Sequence, residues 1–348
     1  MNITFPPRIA RVSFQEKLDL ASEKVGGKTL ETNDEFFAPM ENLLKVAPAI
    51  FIADKYVPTG KWMDGWESRR KRNLGPGNDH DWCIIRLGIP GIIEGVNVDT
   101  AFFTGNFPEY CALDALESTD GKDPSPASAW TEILPKSKLL GGTENLFPIL
   151  STKRFTHVRL RIFPDGGVAR LRVHGRVVAD EKTLASSDGK TDFAAAANGG
   201  VVVASNDSYF GHHDQLIYPG RAANMGEGWE TKRKRGPGFD WIVVRLAATG
   251  AIQKIEVDTH FYKGNFPDMA SIEVLTHPSR DLSPWDCRDR TDLKWTEILG
   301  KTKLKADHNH VFEAELKRDL ATKVDYVRLN IYPDGGISRL RVYCKGSK

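Results

Sequence analysis

Two carboxylates stand in the same local setting. Glu67 closes Gly65-Trp66-Glu67 and runs into Arg69-Arg70-Lys71-Arg72; Glu230 closes Gly228-Trp229-Glu230 and runs into Lys232-Arg233-Lys234-Arg235. A carboxylate can accept hydrogen bonds from N–H donors or, when burial raises its pKa, deliver a proton. Arg70 and Arg233 can grip a small carboxylate through two parallel bonds, each charge-assisted bond contributing ~1.5–3 kcal/mol. Trp66 and Trp229 offer flat apolar walls to such a site. The same residues also suit a loop staple, with Glu paired to Arg and Trp packed as core. Composition leaves both readings open.

A second group sits at strand ends. Asp99 and Asp258 each end an alternating segment and open a loop that carries Asn106 or Asn265. An Asn amide both donates and accepts, which suits a ureido or amide group. Gly-Asn before Phe-Pro is also ordinary loop chemistry. His260 lies two residues beyond Asp258, where the first copy has Ala101. On a continuing strand the two would face one way, and the carboxylate would favour the imidazolium. Alternatively both aspartates only satisfy loop N–H groups. Candidate catalytic residues are therefore Glu67, Asp99, Glu230, Asp258 and His260. Candidate substrate contacts are Trp66, Arg70, Asn106, Trp229, Arg233 and Asn265.

Other motifs read first as structure. Pro164-Asp165-Gly166-Gly167 and Pro333-Asp334-Gly335-Gly336 are turns that Asp165 and Asp334 should cap. Arg170 and Arg172, like Arg339 and Arg341, lie two apart on one strand face. They mark an exposed face or pair with acids. His212-His213 and His308-Asn309-His310 are the close histidine pairs, without a carboxylate or Cys partner at a catalytic zinc spacing. No metal and no cofactor is expected. Gly-x-Ser-x-Gly and phosphate-cradling glycine loops are absent from the sequence.

The motifs come in pairs, about 160 residues apart and in one order. Besides those named, Asp81-Trp82 matches Asp240-Trp241, Val98-Asp99-Thr100 matches Val257-Asp258-Thr259, and Gly105–Pro108 matches Gly264–Pro267. Trp130–Leu134 matches Trp295–Leu299. The copies differ at Ala101 against His260, Arg69 against Lys232 and Phe103 against Tyr262. This is a duplicated domain, not a solenoid. The expected organisation is an N-terminal extension over 1–23, repeats over 24–178 and 198–348, and a linker over 179–197 that holds Ser186-Ser187-Asp188-Gly189-Lys190 and the small run Ala194–Ala197.

The elements that must hold these residues are short strands. Residues 82–87 and 241–246 read as buried strands, and 92–99, 157–162, 252–258 and 326–331 alternate with period two. Asn33–Leu44 has room for one short helical turn. Gly and Pro punctuate the rest, 31 and 19 in number. Two tandem all-β jelly-roll sandwiches follow, with loops at one end carrying chemistry on rigid sheets.

Bulk properties narrow the class. The chain has 348 residues and a net charge of +2 from 48 basic and 46 acidic side chains. That balance argues against a nucleic-acid binder working by bulk charge. No apolar window approaches the ~20 residues of a membrane span, and Met1–Leu20 lacks a leader-like apolar stretch. Cys83, Cys111, Cys287 and Cys344 form no Cys-x-x-Cys pair, which fits reduced core cysteines and a cytoplasmic setting.

The paired blocks resemble those of the allantoicase family, over essentially Lys24 to Cys344. The resemblance implies a duplicated jelly-roll related to galactose-binding-like modules. It implies hydrolysis of allantoate to ureidoglycolate and urea in allantoin and purine degradation, with this small molecule as partner and a homo-oligomeric state. The residues suit that substrate: Arg for its carboxylate, Glu, Asp and Asn for its ureido N–H groups. The runner-up is a non-catalytic jelly-roll binding a small polar ligand such as a sugar. The repeated acids and arginines exceed what a sugar-stacking site needs.

Overall fold

The computed structural model describes residues 14, 17–179, 181–277, 280 and 282–346. The chain divides into two units, residues 1–176 and 177–348. Unit 1 carries β1 (Leu18–Asp19), β2 (Lys28–Thr32), a hairpin of β3 (Tyr56–Val57) and β4 (Gly60–Lys61), β5 (Trp66–Glu67), β6 (Asp81–Asp99), β7 (Tyr110–Leu116), β8 (Thr131–Lys138), β9 (Glu144–Pro148), β10 (Arg154–Phe163), β11 (Gly167–Val168) and β12 (Arg170–Val177). After the short helix α1 (Glu181–Ala185), unit 2 repeats the plan. Its strands are β13 (Asp188–Asp192), β14 (Val201–Ser205), β15 (Trp229–Glu230), β16 (Asp240–Asp258), β17 (Met269–Leu275), β18 (Thr296–Lys303), β19 (Asn309–Phe312), β20 (Val324–Tyr332), β21 (Gly336–Ile337) and β22 (Arg339–Gly346), with α2 (Pro284–Asp289) between β17 and β18.

One long strand organises each unit. In unit 2 the first part of β16 pairs with β14 and β20, while residues 250–258 pair with β22 and 255–258 with β19. β6 has the same neighbours in unit 1. The strand thus passes from one layer of the sandwich to the other. The separate strands expected at 82–87 and 92–99 are one 19-residue strand, as are 241–246 and 252–258. Gly88, Pro90 and Gly91 read as a break in the sequence. They instead mark the crossover, where β10 shifts register between Phe155 and His157. The core lies between the layers, where Ile84, Val96, Val98 and Leu160 of unit 1 and Ile242, Ile255, Val257 and Leu329 of unit 2 are fully buried. Fully burying such a side chain contributes ~1.5–3 kcal/mol.

The all-β jelly-roll reading holds, with helix confined to short turns such as the 3₁₀ segment Met40–Leu44. The units begin earlier than the sequence reading placed them. β1 pairs with β12, so the span 1–23 contributes a strand to the first sheet. Residues 188–192, read as linker, form β13 and pair with β22. Asp19 and Asp192 explain this: each caps the strand beside it, accepting from Val173 N and Val342 N. All four cysteines are buried and free. Among the described residues no helix is long and apolar enough to cross a membrane.

Candidate active site

The glutamates are aimed by a two-strand clip. β5 pairs with β11 so that Glu67 lies opposite Gly167, and β15 pairs with β21 so that Glu230 lies opposite Gly336. The two glycines of each turn do different work. Gly166 and Gly335 have φ of 133° and 136°, open mainly to glycine. A Cβ on Gly167 or Gly336 would lie 2.0 Å from the Phe103 ring or 1.9 Å from the Tyr262 ring. The backbone N–H of each second glycine donates to the Asn106 or Asn265 carbonyl, at 2.8 and 2.9 Å, which seats the asparagine loop. Asp165 and Asp334 do not cap their own turns. They reach across to accept from Lys71 N at 2.7 Å and Lys234 N at 2.6 Å, fixing the basic run.

This framework brings Glu and Asn together in both units. Asn106 Nδ2 donates to Glu67 Oε1 at 2.7 Å, and Asn265 Nδ2 donates to Glu230 Oε1 at 2.6 Å. The second carboxylate oxygen of each makes no hydrogen bond among the described residues. Burial pushes the Glu67 carboxyl up, against the lowering effect of the Asn106 bond. The basic run is sorted by the fold. Arg69 Nε meets Asp34 at 2.6 Å and Lys71 Nζ meets Asp81 at 2.7 Å. In unit 2, Lys232 Nζ sits 4.2 Å over the Tyr209 ring and Lys234 Nζ meets Asp240 at 2.8 Å. Arg70 and Arg233, between those pinned neighbours, are exposed and have no ion pair among the described residues. In unit 2, Glu230, Arg233, Asn265, Phe210 and Asp334 line one open cleft of about 650 Å³, within the ~300–1,000 Å³ range of small-molecule sites.

The tryptophans stand elsewhere. Trp66 and Trp229 are fully buried, and their indole N–H groups donate to the Asp34 and Asp207 carbonyls. They are core anchors under the clip and present no wall to the cleft.

The strand-end aspartates do not join the glutamates at this cleft. Asp99 Oδ1 accepts from Ala101 N at 2.8 Å and Asp258 Oδ1 from His260 N at 2.9 Å, so both cap a turn. Burial raises the Asp99 carboxyl. β16 ends at Asp258, so the strand alternation stops there. The His260 ring turns to Asp307, with Nδ1 2.9 Å from Oδ1, and not to the Asp258 carboxylate. Asp258 instead lines a second cleft of about 500 Å³ with Arg221, Glu256, Asn309, Arg339 and Arg341. Of the arginines after the turn, Arg170 and Arg339 are buried and Arg172 and Arg341 half-buried, and the tightest ion pair among them is Arg170 Nη2 to Asp64 Oδ2 at 2.7 Å. Burial and the adjacent Arg341 bring the Arg339 guanidinium down to about 10. The second cleft is hidden from the sequence because Arg339 and Arg341 lie some 80 residues from Glu256 and Asp258; the visible signal was the Arg-x-Arg alternation. His212 and His213 do have a carboxylate beside them, the adjacent Asp214, with ligand-type atoms within 4.8 Å of one another. That trio lies outside both clefts, and burial pushes His213 down to about 4.

The allantoicase repeat family matches residues 18–178 and 191–347, one copy in each unit. The chain belongs to the allantoicase family. It is 47% identical over 334 residues to the allantoicase of Dictyostelium discoideum, spanning 94% of this chain and 87% of that one. It is 45% identical over 326 residues to a probable allantoicase of Burkholderia mallei, covering 94% of each. Its structure is similar to that of allantoicase from Saccharomyces cerevisiae, with a TM-score of 0.74 at 35% identity over 94% of this chain and 93% of that one. A second allantoicase structure matches with a TM-score of 0.76 at 33% identity, covering 99% of this chain and 100% of that one. Within this allantoicase-family chain the Glu–Asn pair is one of the features both repeats build with the same partners and nearly the same distance.

Proposed function

We propose that the chain is an allantoicase, a hydrolase that converts allantoate and water to ureidoglycolate and urea, and that it does so at the Glu–Asn clefts. The observation that carries the placement is the duplicated pair, Asn106 on Glu67 and Asn265 on Glu230, beside an unpaired arginine. Allantoate bears one carboxylate and two ureido groups on one carbon. Arg70 or Arg233 holds the carboxylate in a two-point grip. The Asn amide orients the glutamate and keeps one of its oxygens turned to the substrate.

The protonated glutamate gives its proton to the leaving ureido nitrogen. The bond from the central carbon to that nitrogen breaks with its electron pair on nitrogen, releasing urea. Water then adds to the central carbon and returns a proton to the carboxylate. Burial of Glu67 favours the protonated form that the first step needs.

Urea release from allantoate by the purified chain tests the reaction. No urea, with and without added divalent ions, would overturn it. The same reading takes the protein as cytoplasmic and homo-oligomeric. Four free, buried cysteines support a reducing compartment, and sedimentation analysis tests the assembly.

A further inference from the structure

The second cleft of unit 2 has the chemistry of a separate binding site. It shares no lining residue with the Glu230 cleft. Its lining includes three guanidiniums, Arg221, Arg339 and Arg341, and two carboxylates, Glu256 and Asp258. Glu256 is already met by Lys254 Nζ at 2.7 Å.

The equivalent residues of unit 1 are closed upon themselves. Arg170 uses every nitrogen: Nε to Ala47 O, Nη1 to the Asp64 and Ala169 carbonyls, Nη2 to Asp64 Oδ2 at 2.7 Å. In unit 2 Arg339 makes the matching backbone bonds, through Nε to Gly220 O and Nη1 to the Glu227 and Ser338 carbonyls. Its Nη2 has no hydrogen-bond partner, although the side chain is only 3% exposed. Glu227 stands where unit 1 has Asp64, but its Oε2 accepts from Ala223 N at 2.9 Å and stays 3.7 Å from Nη2. Arg341 Nη1 is likewise buried without a hydrogen-bond partner, while its Nη2 donates to the Tyr218 and Gly220 carbonyls and its Nε stands 3.6 Å from Asp192 Oδ2. Buried guanidinium nitrogens without acceptors are costly, and an anion supplies the acceptors.

The acid at the rim has also moved. In unit 1, Asn97 Nδ2 donates to Glu144 Oε1 at 3.0 Å across β6 and β9. In unit 2 the same register carries Glu256 on β16 and Asn309 on β19, with Asn309 Nδ2 3.4 Å from Glu256 Oε2. A carboxylate acceptor thereby lines the cleft beside Asp258.

We propose that the Arg339–Arg341 cleft of unit 2 binds a small carboxylate that also carries N–H or O–H donors, and that its counterpart in unit 1 does not. The guanidiniums take the carboxylate. Glu256 and Asp258 take the donors. The proposal does not depend on where the reaction occurs, since the class includes substrate and product alike.

The probe is hydantoate, with one carboxylate and one ureido group. Its binding is measured by calorimetry on the full chain carrying Arg70→Gln and Arg233→Gln, which weakens the proposed catalytic sites. That protein still binds hydantoate. Adding Arg341→Gln weakens binding about tenfold, the loss expected for one charge-assisted contact, whereas adding Arg172→Gln leaves it unchanged. Glu256→Gln, at the rim, weakens it severalfold and carries the test if Arg341→Gln melts. Absence of binding in the double variant, equal effects of Arg341→Gln and Arg172→Gln, or normal binding by Glu256→Gln would each overturn the proposal.

Discussion

Arg170 and Asp64 form a buried ion pair of 2.7 Å in unit 1, and the corresponding Arg339 and Glu227 in unit 2 stand 3.7 Å apart. One methylene more on the acid does not close the gap, because Ala223 N holds the Glu227 carboxylate. The two repeats therefore depend on their acids to different degrees. Removing one partner of a tight buried pair leaves the other charge uncompensated and costs ~3–5 kcal/mol. Asp64→Asn should approach that loss, and Glu227→Gln should cost less than half as much. Urea unfolding of each variant measures the difference; equal losses would contradict it.

Removing the proton donor should slow the chemistry without loosening substrate binding. Glu→Gln keeps the acceptor for the Asn amide but cannot shuttle a proton. The double variant Glu67→Gln, Glu230→Gln should lose ~10²–10⁴-fold in kcat, the usual contribution of general acid–base groups. The single variant with the larger loss identifies the working repeat. A double variant turning over at the wild-type rate would remove both glutamates from the mechanism.

Arg70 and Arg233 are free of structural duty, so their substitution should act on substrate. Lys keeps the charge but not the planar fork. Arg→Lys at the working repeat should raise KM about tenfold, equivalent to ~1.4 kcal/mol, with kcat and melting temperature nearly unchanged. A normal KM in both variants would show the basic runs to be solvated surface only.

The raised Glu67 pKa makes a statement about stability. Its folded pKa lies above its unfolded value because burial disfavours the carboxylate. The folded state therefore binds this proton more tightly than the unfolded state. The stabilisation is fully present below the unfolded pKa and is lost as pH rises through the folded pKa. Glu67→Gln, which stays neutral, should melt close to wild type near pH 4 and a few degrees higher near pH 8. Melting curves at the two pH values decide it; a variant less stable at pH 8 than at pH 4, relative to wild type, would reverse the sign.

The repeated architecture was legible because it rests on local patterns, whereas the Glu–Asn pair joins two segments some 35–39 residues apart that the sequence alone leaves in separate groups. Alternating Ile and Val marked the strands, and Pro-Asp-Gly-Gly marked the turns, but not the close approach of Phe103 and Tyr262 to the second glycine. What the sequence hid was set by long-range geometry. Trp66 can wall a cleft or fill a core, and only the packing of β5 against β11 decides for the core. On a continuing strand His260 would face the way of Asp258, but β16 stops there and Asp307 meets the ring. Arg339 was open between an exposed face and an acid partner. Its neighbours Asp258 and Glu227 come from segments that sequence spacing does not connect.

The exchanged rim residues constrain how the two halves can be recombined. Strand β9 brings Glu144 diagonally across from Asn97, while β19 brings Asn309 diagonally across from Glu256. Grafting β9 alone into unit 2 would set Glu144 against Glu256, two carboxylates with no amide between them. Grafting β19 alone into unit 1 would set Asn309 against Asn97 and remove Glu144, leaving Asp99 as the carboxylate there. Each strand is interchangeable only in company with its neighbour, so a chimera of the repeats has to be cut outside the pair, and drift at either position is answerable to the other.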